Sequence, residues 1–242
     1  MSDDLLELAL QAHGGLERWR AIDALEARYR AGGLAPASKL RGRGLRDFDA
    51  RAETRRPHMT LRSYPSPGRR GVLDGESVRI EAGDGELLEE RASPLAEIHS
   101  PRRLLYWDDL DFLYFAAYAM WGYLTAPFLF AEPGFETSEV EPWTEDGERW
   151  RGLRVRYPDG IPTHSREQVF YFDERGLLRR LDYTAEVFNS RAHAAHYCYD
   201  HREMAGLIVP TRRRVHPRRR NGTPRRAITL VAIEVESVTE TS

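Results

Sequence analysis

Apolar positions follow a helical period at the start of the chain and in one central stretch. Over most of the rest they alternate with polar positions. Leu5, Leu8, Ala9, Ala12, Leu16 and Trp19 recur at helical spacing, interrupted by Gly14-Gly15. This predicts a short helix, a break, and a second turn through Ile22, with Asp3 or Asp4 placed to cap the first helix. From Asp23 onward, short β-compatible stretches are separated by turn signals: Leu25–Ala31, Leu40–Thr54, Met59–Tyr64, Arg70–Leu73 and Glu76–Ala82. Asp74-Gly75 and Gly83-Asp84-Gly85 read as hairpin turns, because glycine supplies the positive φ that tight turns need. Strands are expected again at Glu167–Asp173, Leu177–Phe188, His193–His201, Leu207–Val215 and Ala227–Glu236, with Asn221-Gly222 in the loop before the last. Leu181, Tyr183, Ala185 and Val187 alternate with Arg180, Asp182, Thr184 and Glu186, the signature of a half-buried antiparallel strand that is wet on its other face. No alternation of helices with parallel strands is present, so a doubly wound fold is not expected.

The central exception is the stretch 101–130. Phe112 to Phe130 is 19 residues without a charge, and Tyr106 to Phe130 carries 10 of the chain's aromatic residues. Its length is close to the roughly 20 residues of a membrane span. However, Gly122 and Pro127 break the pattern, tyrosine hydroxyls are scattered through it, and Asp108, Asp109 and Asp111 lead into it. A helix and loop packed into the concave side of a sheet is the expected arrangement, with no transmembrane span. Trp107, Tyr114, Tyr118 and Trp121 are spaced at 7, 4 and 3, which places them on one helix face as candidate lining for a hydrophobic or aromatic ligand. The chain therefore reads as one α+β domain over 1–242. Its parts are a strongly curved antiparallel sheet (an incomplete barrel), an N-terminal helix and an aromatic helical plug.

Composition narrows the function classes. Of 242 residues, 36 are basic and 38 acidic, 41% are hydrophobic and 31% charged. This excludes wholesale disorder and a multi-span membrane protein. The formal net charge of -2 does not suit a surface built for nucleic acid. Cys198 is the lone cysteine, so no internal disulfide or multi-cysteine metal site is available. The acidic start, broken by Glu7, does not resemble a secretory signal, and a cytoplasmic location is expected. No phosphate loop, dinucleotide fingerprint, nucleophile elbow or zinc-protease helix is present, so neither cofactor nor metal is expected.

The stretch Ala9 to Leu25, containing Ala12-His13-Gly14-Gly15 and Trp19-Arg20-Ala21-Ile22, is similar to the start of proteins with the LolA/LolB lipoprotein-carrier fold. The order of elements also resembles that fold. The resemblance implies a curved, incomplete barrel closed by internal helices around a hydrophobic guest. The family's carriers are periplasmic or lipid-anchored, whereas this chain shows no signal peptide or lipidatable N-terminal cysteine. It resembles more closely the family's cytoplasmic, cofactor-free enzyme of violacein pigment biosynthesis.

Candidate chemistry falls in three places. His164 precedes Glu167 in a short polar run, a candidate acid/base pair or else a polar loop rim. The segment 193–201 is densest in acids, bases and ligands. As a strand it places His193, Tyr197, Tyr199 and His201 on one face and His196, Cys198 and Asp200 on the other, so its i, i+3 histidines do not share a metal. Which face lines the cavity is not given by the pattern. Arg213 shares a face with Leu207, Val209 and Val215. A buried arginine there needs a carboxylate partner or a ligand anion, unless it snorkels to water. Tyr183 is placed to present its hydroxyl to the same space. Arg212 to Arg226 holds eight arginines and no acid, but no interleaved aromatic that would mark nucleic-acid binding.

The expected function is a cytosolic, cofactor-independent hydrolase or cyclase acting on a hydrophobic or aromatic small molecule. In it Arg213 would neutralise charge, Tyr183 would orient the substrate, and one of His164, Glu167, His196, Asp200 or His201 would move protons. The alternative is a carrier or sensor that sequesters a hydrophobic ligand without chemistry.

Overall fold

The structure is a computed structural model and describes residues 2–39, 47–98, 100, 103 and 106–241. The predicted strand residues 40–46 and part of the insert near 101–105 lie outside them. The chain begins with helix α1 (Ser2–Ala12), breaks at Gly14 and Gly15, and resumes as α2 (Leu16–Arg20). Gly14 has φ +120°, and a Cβ there would sit 2.8 Å from the Gly206 carbonyl oxygen, so the break requires glycine.

Thirteen strands form one antiparallel sheet: β1 (Ala24–Gly32), β2 (Asp47–Glu53), β3 (His58–Arg62), β4 (Arg69–Asp74), β5 (Ser77–Ala82), β6 (Leu87–Arg91), β7 (Glu136–Glu145), β8 (Glu148–Arg156), β9 (Glu167–Phe172), β10 (Leu178–Thr184), β11 (His193–Met204), β12 (Leu207–Pro217) and β13 (Val231–Thr241). Two meanders, β1 to β6 and β7 to β12, are joined by β13, which pairs with β1 on one side and β12 on the other. The edges β6 and β7 are not paired with each other, so the curved sheet stays open. The fold is predominantly sheet. The other helices among the described residues include short α3 (Leu34–Ser38) and α4 (Pro94–Glu97), the plug α5 (Asp109–Thr125), and a 3₁₀ turn (Phe128–Ala131).

Helix α5 packs inside the curve against β3 to β6, while α1 and the 3₁₀ turn fill the opposite side against β7 and β8. One continuous apolar core connects them, from Leu5 to Val238. Gly71 on β4 allows the close approach of the plug, since a Cβ there would lie 2.6 Å from a Leu113 methyl. A capping box starts α5. Asp111 N–H donates to Asp108 Oδ1 at 2.9 Å and Asp108 N–H donates to Asp111 Oδ2 at 3.2 Å. Asp111, fully buried, also accepts from Arg91 at 2.6 Å and from Arg103 Nε at 3.0 Å. The helix runs through Gly122 and stops before Pro127, so Pro127 alone marks the break expected at both.

Two expectations are corrected. Strands β6, β7 and β8 are absent from the alternation read in the sequence. Moreover, the outer face of β10 is not wet. Arg180 is fully buried there, paired with Asp182 at 2.7 and 2.9 Å, and enclosed by the rings of Trp143, Tyr171 and Tyr197. The arginine-rich loop folds over this pair. The Gly222 carbonyl accepts from Arg180 at 2.6 Å, and Arg226 reaches Glu145 and Asp146.

Candidate functional site

On the concave side, where β10 to β13 curve away from the plug, the sheet leaves a cavity of about 510 Å³. Its walls are mainly apolar: Phe115 from α5, Phe188 from the loop after β10, Val215 from β12, Val231 from β13, and Leu34 and Leu230 near the mouth. The volume suits a drug-sized or acyl-chain guest. Polar side chains that border it include His164 and Tyr183, and Ser38 and His193.

His164 comes from the loop before β9, yet it is 4% exposed. Its Nδ1 lies 3.1 Å from the Tyr118 hydroxyl and its Nε2 lies 2.7 Å from the Tyr123 hydroxyl, which is in turn 3.3 Å from the Tyr183 hydroxyl. The imidazole stacks flat on Tyr183 with ring centroids 4.0 Å apart. A neutral imidazole has one donor and one acceptor, so one tyrosine donates to it and the other accepts. Burial lowers the His164 pKa to about 3. Burial likewise raises the tyrosines Tyr118, Tyr123 and Tyr183 above their ordinary value. At neutral pH the cluster therefore carries no charge.

Behind it lies Arg213, 3% exposed. Its guanidinium donates to the Tyr123 carbonyl at 2.9 Å and to Cys198 Sγ at 3.3 Å, and it sits 5.0 Å from the centre of the Tyr123 ring. No carboxylate among the described residues lies in ion-pair range of it, so the carboxylate partner and the snorkelling route are both set aside. A second void of about 20 Å³, room for one water, separates Arg213 from His164 and Gln168. His196 is fully buried beside Tyr123 at 4.6 Å, with neither ring nitrogen hydrogen-bonded. Burial and then the Arg213 charge hold its pKa well below the ordinary value.

The remaining sequence candidates are elsewhere. Glu167 is exposed and faces Arg154 at 3.4 Å, because β9 has already begun its outward alternation there. Asp200 is exposed and bonded to Arg212 at 2.7 Å. Its left-handed φ of +54° interrupts the strand alternation, and His201 packs edge-on against His13 rather than with Tyr197 and Tyr199 outside. Trp107, Tyr114, Tyr118 and Trp121 are all buried but line no part of the large cavity. Trp107 precedes the helix and packs on Phe115 and Phe188, Tyr114 is core, and Tyr118 and Trp121 border the small void. Phe115 and Phe188, which the sequence did not single out, line the large cavity, and Tyr123 joins Tyr118 in hydrogen-bonding His164.

Arg191, Arg218 and Arg225 also border the cavity, and among the described residues no acidic side chain does. Among the described residues, no group of three or more His, Cys, Asp or Glu side chains is arranged to hold a metal ion. No helix is long and apolar enough to cross a membrane.

No family model and no curated protein matches the sequence. Solved structures match in fold. A LolA superfamily protein of Nitrosomonas europaea aligns over all of this chain and 94% of its own, with TM-score 0.55 and 8% identity. A putative outer membrane lipoprotein-sorting protein domain of Vibrio parahaemolyticus aligns over the same shares with TM-score 0.54 and 7% identity. A DUF1329 family protein of Desulfovibrio piger aligns over 99% of this chain and 92% of its own, with TM-score 0.52 and 12% identity. At such identities the likeness shows the fold alone.

Proposed function

We propose that the chain is a carrier or sensor that sequesters a hydrophobic small molecule inside the curved sheet. The observation that carries this reading is the cavity of about 510 Å³, walled by Phe115, Phe188, Val215 and Leu230 and closed at its inner end by an uncharged hydrogen-bonded cluster. The fold shared with a lipoprotein-sorting protein domain supports it. Electrostatics favour binding over chemistry. A general base works best with a pKa near the operating pH, and burial keeps His164 at about 3 with both nitrogens already engaged.

Native mass spectrometry of the purified protein, followed by organic extraction, is expected to show a retained apolar compound. In Leu230→Trp, which fills the mouth, that compound is lost while the circular dichroism spectrum is kept. Retention of the compound by Leu230→Trp would place it elsewhere and overturn the reading.

The contact of His164 and Tyr183 with the cavity favours a second reading, a cofactor-free enzyme of specialised metabolism used as the violacein enzyme uses this fold. In that case His164→Phe abolishes turnover of the extracted compound while leaving its binding intact. Absence of any turnover by the unmodified protein removes this second reading.

A further inference from the structure

The structure assigns the cavity's guest a negative charge: we infer that it takes an apolar acid, whose carboxylate is held at the mouth by Arg191, Arg218 and Arg225. This rests on the carrier reading above and adds the chemical class. Three backbone contacts gather the arginines at one end of β11 and β12. Arg218 N–H donates to the His193 carbonyl at 2.9 Å, two residues beyond Arg191. Arg225 N–H donates to the Pro217 carbonyl at 2.8 Å, and Arg218 bridges to Pro224.

All three border the cavity, and its lining contains no Asp or Glu. Among the described residues neither Arg191 nor Arg225 has an ion-pair partner. Arg218 lies 3.5 Å from Asp182, which already holds Arg180, and its buried Nε has no hydrogen-bond partner. Arginines on β1 and β3 behave differently. Arg28 and Arg30 are flanked by Asp47, Asp49 and Glu236, and Arg62 by Glu26. Protein carboxylates thus neutralise those arginines and leave the mouth's charge for a guest. His164 adds nothing to that charge near neutral pH, since burial keeps it uncharged. The unpaired guanidinium groups of Arg191 and Arg225, with Arg218 shared with Asp182 beside them, stand at the rim of a greasy hollow and match a molecule with an apolar body and a carboxylate end.

The test uses the full chain and isothermal titration with matched probes: decanoate, 1-decanol and decylamine for an aliphatic body, and 2-naphthoate with 2-naphthol for an aromatic one. Each acid is expected to bind about tenfold or more tighter than its alcohol, and the amine weakest. The better of the two acids identifies an aliphatic or an aromatic source. In R191Q/R225Q, which changes two exposed side chains, the acid's advantage falls to about twofold or less while alcohol affinity stays. Equal binding of acid and alcohol, or an advantage unchanged in the double variant, overturns the assignment and leaves the carrier reading standing. Binding of none of the probes overturns both.

Discussion

The two ends of the plug helix show two ways of burying polarity. At its N-terminus, charges are buried in full partnership: Asp111 lies between Arg91 and Arg103, and Asp108 accepts from Arg91 at 2.8 and 3.0 Å. Although desolvation alone would raise it, the Arg91 hydrogen bonds pull Asp108 down to about 2. At the C-terminal end, His164, Tyr118, Tyr123 and Tyr183 are hydrogen-bonded but neutral, and the one cation near them, Arg213, has no anion beside it. The first end is a latch, complete without any guest. The second borders the inner part of the cavity, where an unpaired charge buried against an apolar guest would cost desolvation. The difference teaches that burial alone does not mark the site. The marker is buried polarity left incomplete.

Acid separates the two ends most sharply. His164 titrates near 6.5 when unfolded and at about 3 when folded, and His13 and His201 at about 4 when folded, each mainly through burial. The unfolded chain therefore takes up these protons first as pH falls, so stability drops from about pH 6.5 downward, by about 1.4 kcal/mol per pH unit for each histidine. In the latch the contribution of Asp108 is lost only below its ordinary range, towards pH 2, whereas burial and then the Asp108 charge raise Asp111 above its ordinary value. Urea titrations from pH 7 to 4 should show this loss, and His164→Phe should reduce the slope by about one proton. A stability flat between pH 7 and 5 would break the comparison.

The next largest effect belongs to the latch. Asp111→Ala leaves Arg91 and Arg103 facing a buried gap and should cost about 3 kcal/mol at pH 7, read from the urea midpoint. A loss below about 1 kcal/mol would mean that Asp108 and Glu97 suffice to hold both arginines.

The smallest effect sharpens the picture of Arg213. Desolvation dominates at His201, and the Arg213 charge is the next cause holding its pKa down. Arg213→Met should raise the His201 titration by a fraction of a unit from about 4, followed by nuclear magnetic resonance. An unchanged titration would show that the guanidinium's field does not reach it.

How far the sequence carried these features depends on whether a local period existed. In β10 and β12 apolar residues recur at alternate positions, which places Tyr183 and Arg213 on the apolar face from the sequence, whereas in β11 the left-handed Asp200 interrupts the alternation. Strand β6, Leu87-Leu88-Glu89-Glu90-Arg91, is exposed along almost its whole length and has nothing to alternate. In β7 an irregularity between Val140 and Trp143 shifts its register against β8. The plug is buried on nearly every side, so the helical spacing that groups Trp107, Tyr114, Tyr118 and Trp121 does not separate the side that meets the large cavity, where Phe115 lies, from the rest of the core. His164, Arg191 and Arg225 sit outside strands, where position comes from tertiary contacts that no period encodes.

The topology also sets an order of events during synthesis. Because β13 joins the two meanders among the described strands, β1 and β12 present bare backbone edges until that strand emerges from the ribosome. Closure then pairs Ala24 with Thr241 and Gly32 with Ala232, across about two hundred residues of chain, and such distant pairing is slow. Val231, on that same strand, also walls the hollow. A nascent chain stalled before it would expose sticky half-sheets and have no complete pocket to fill.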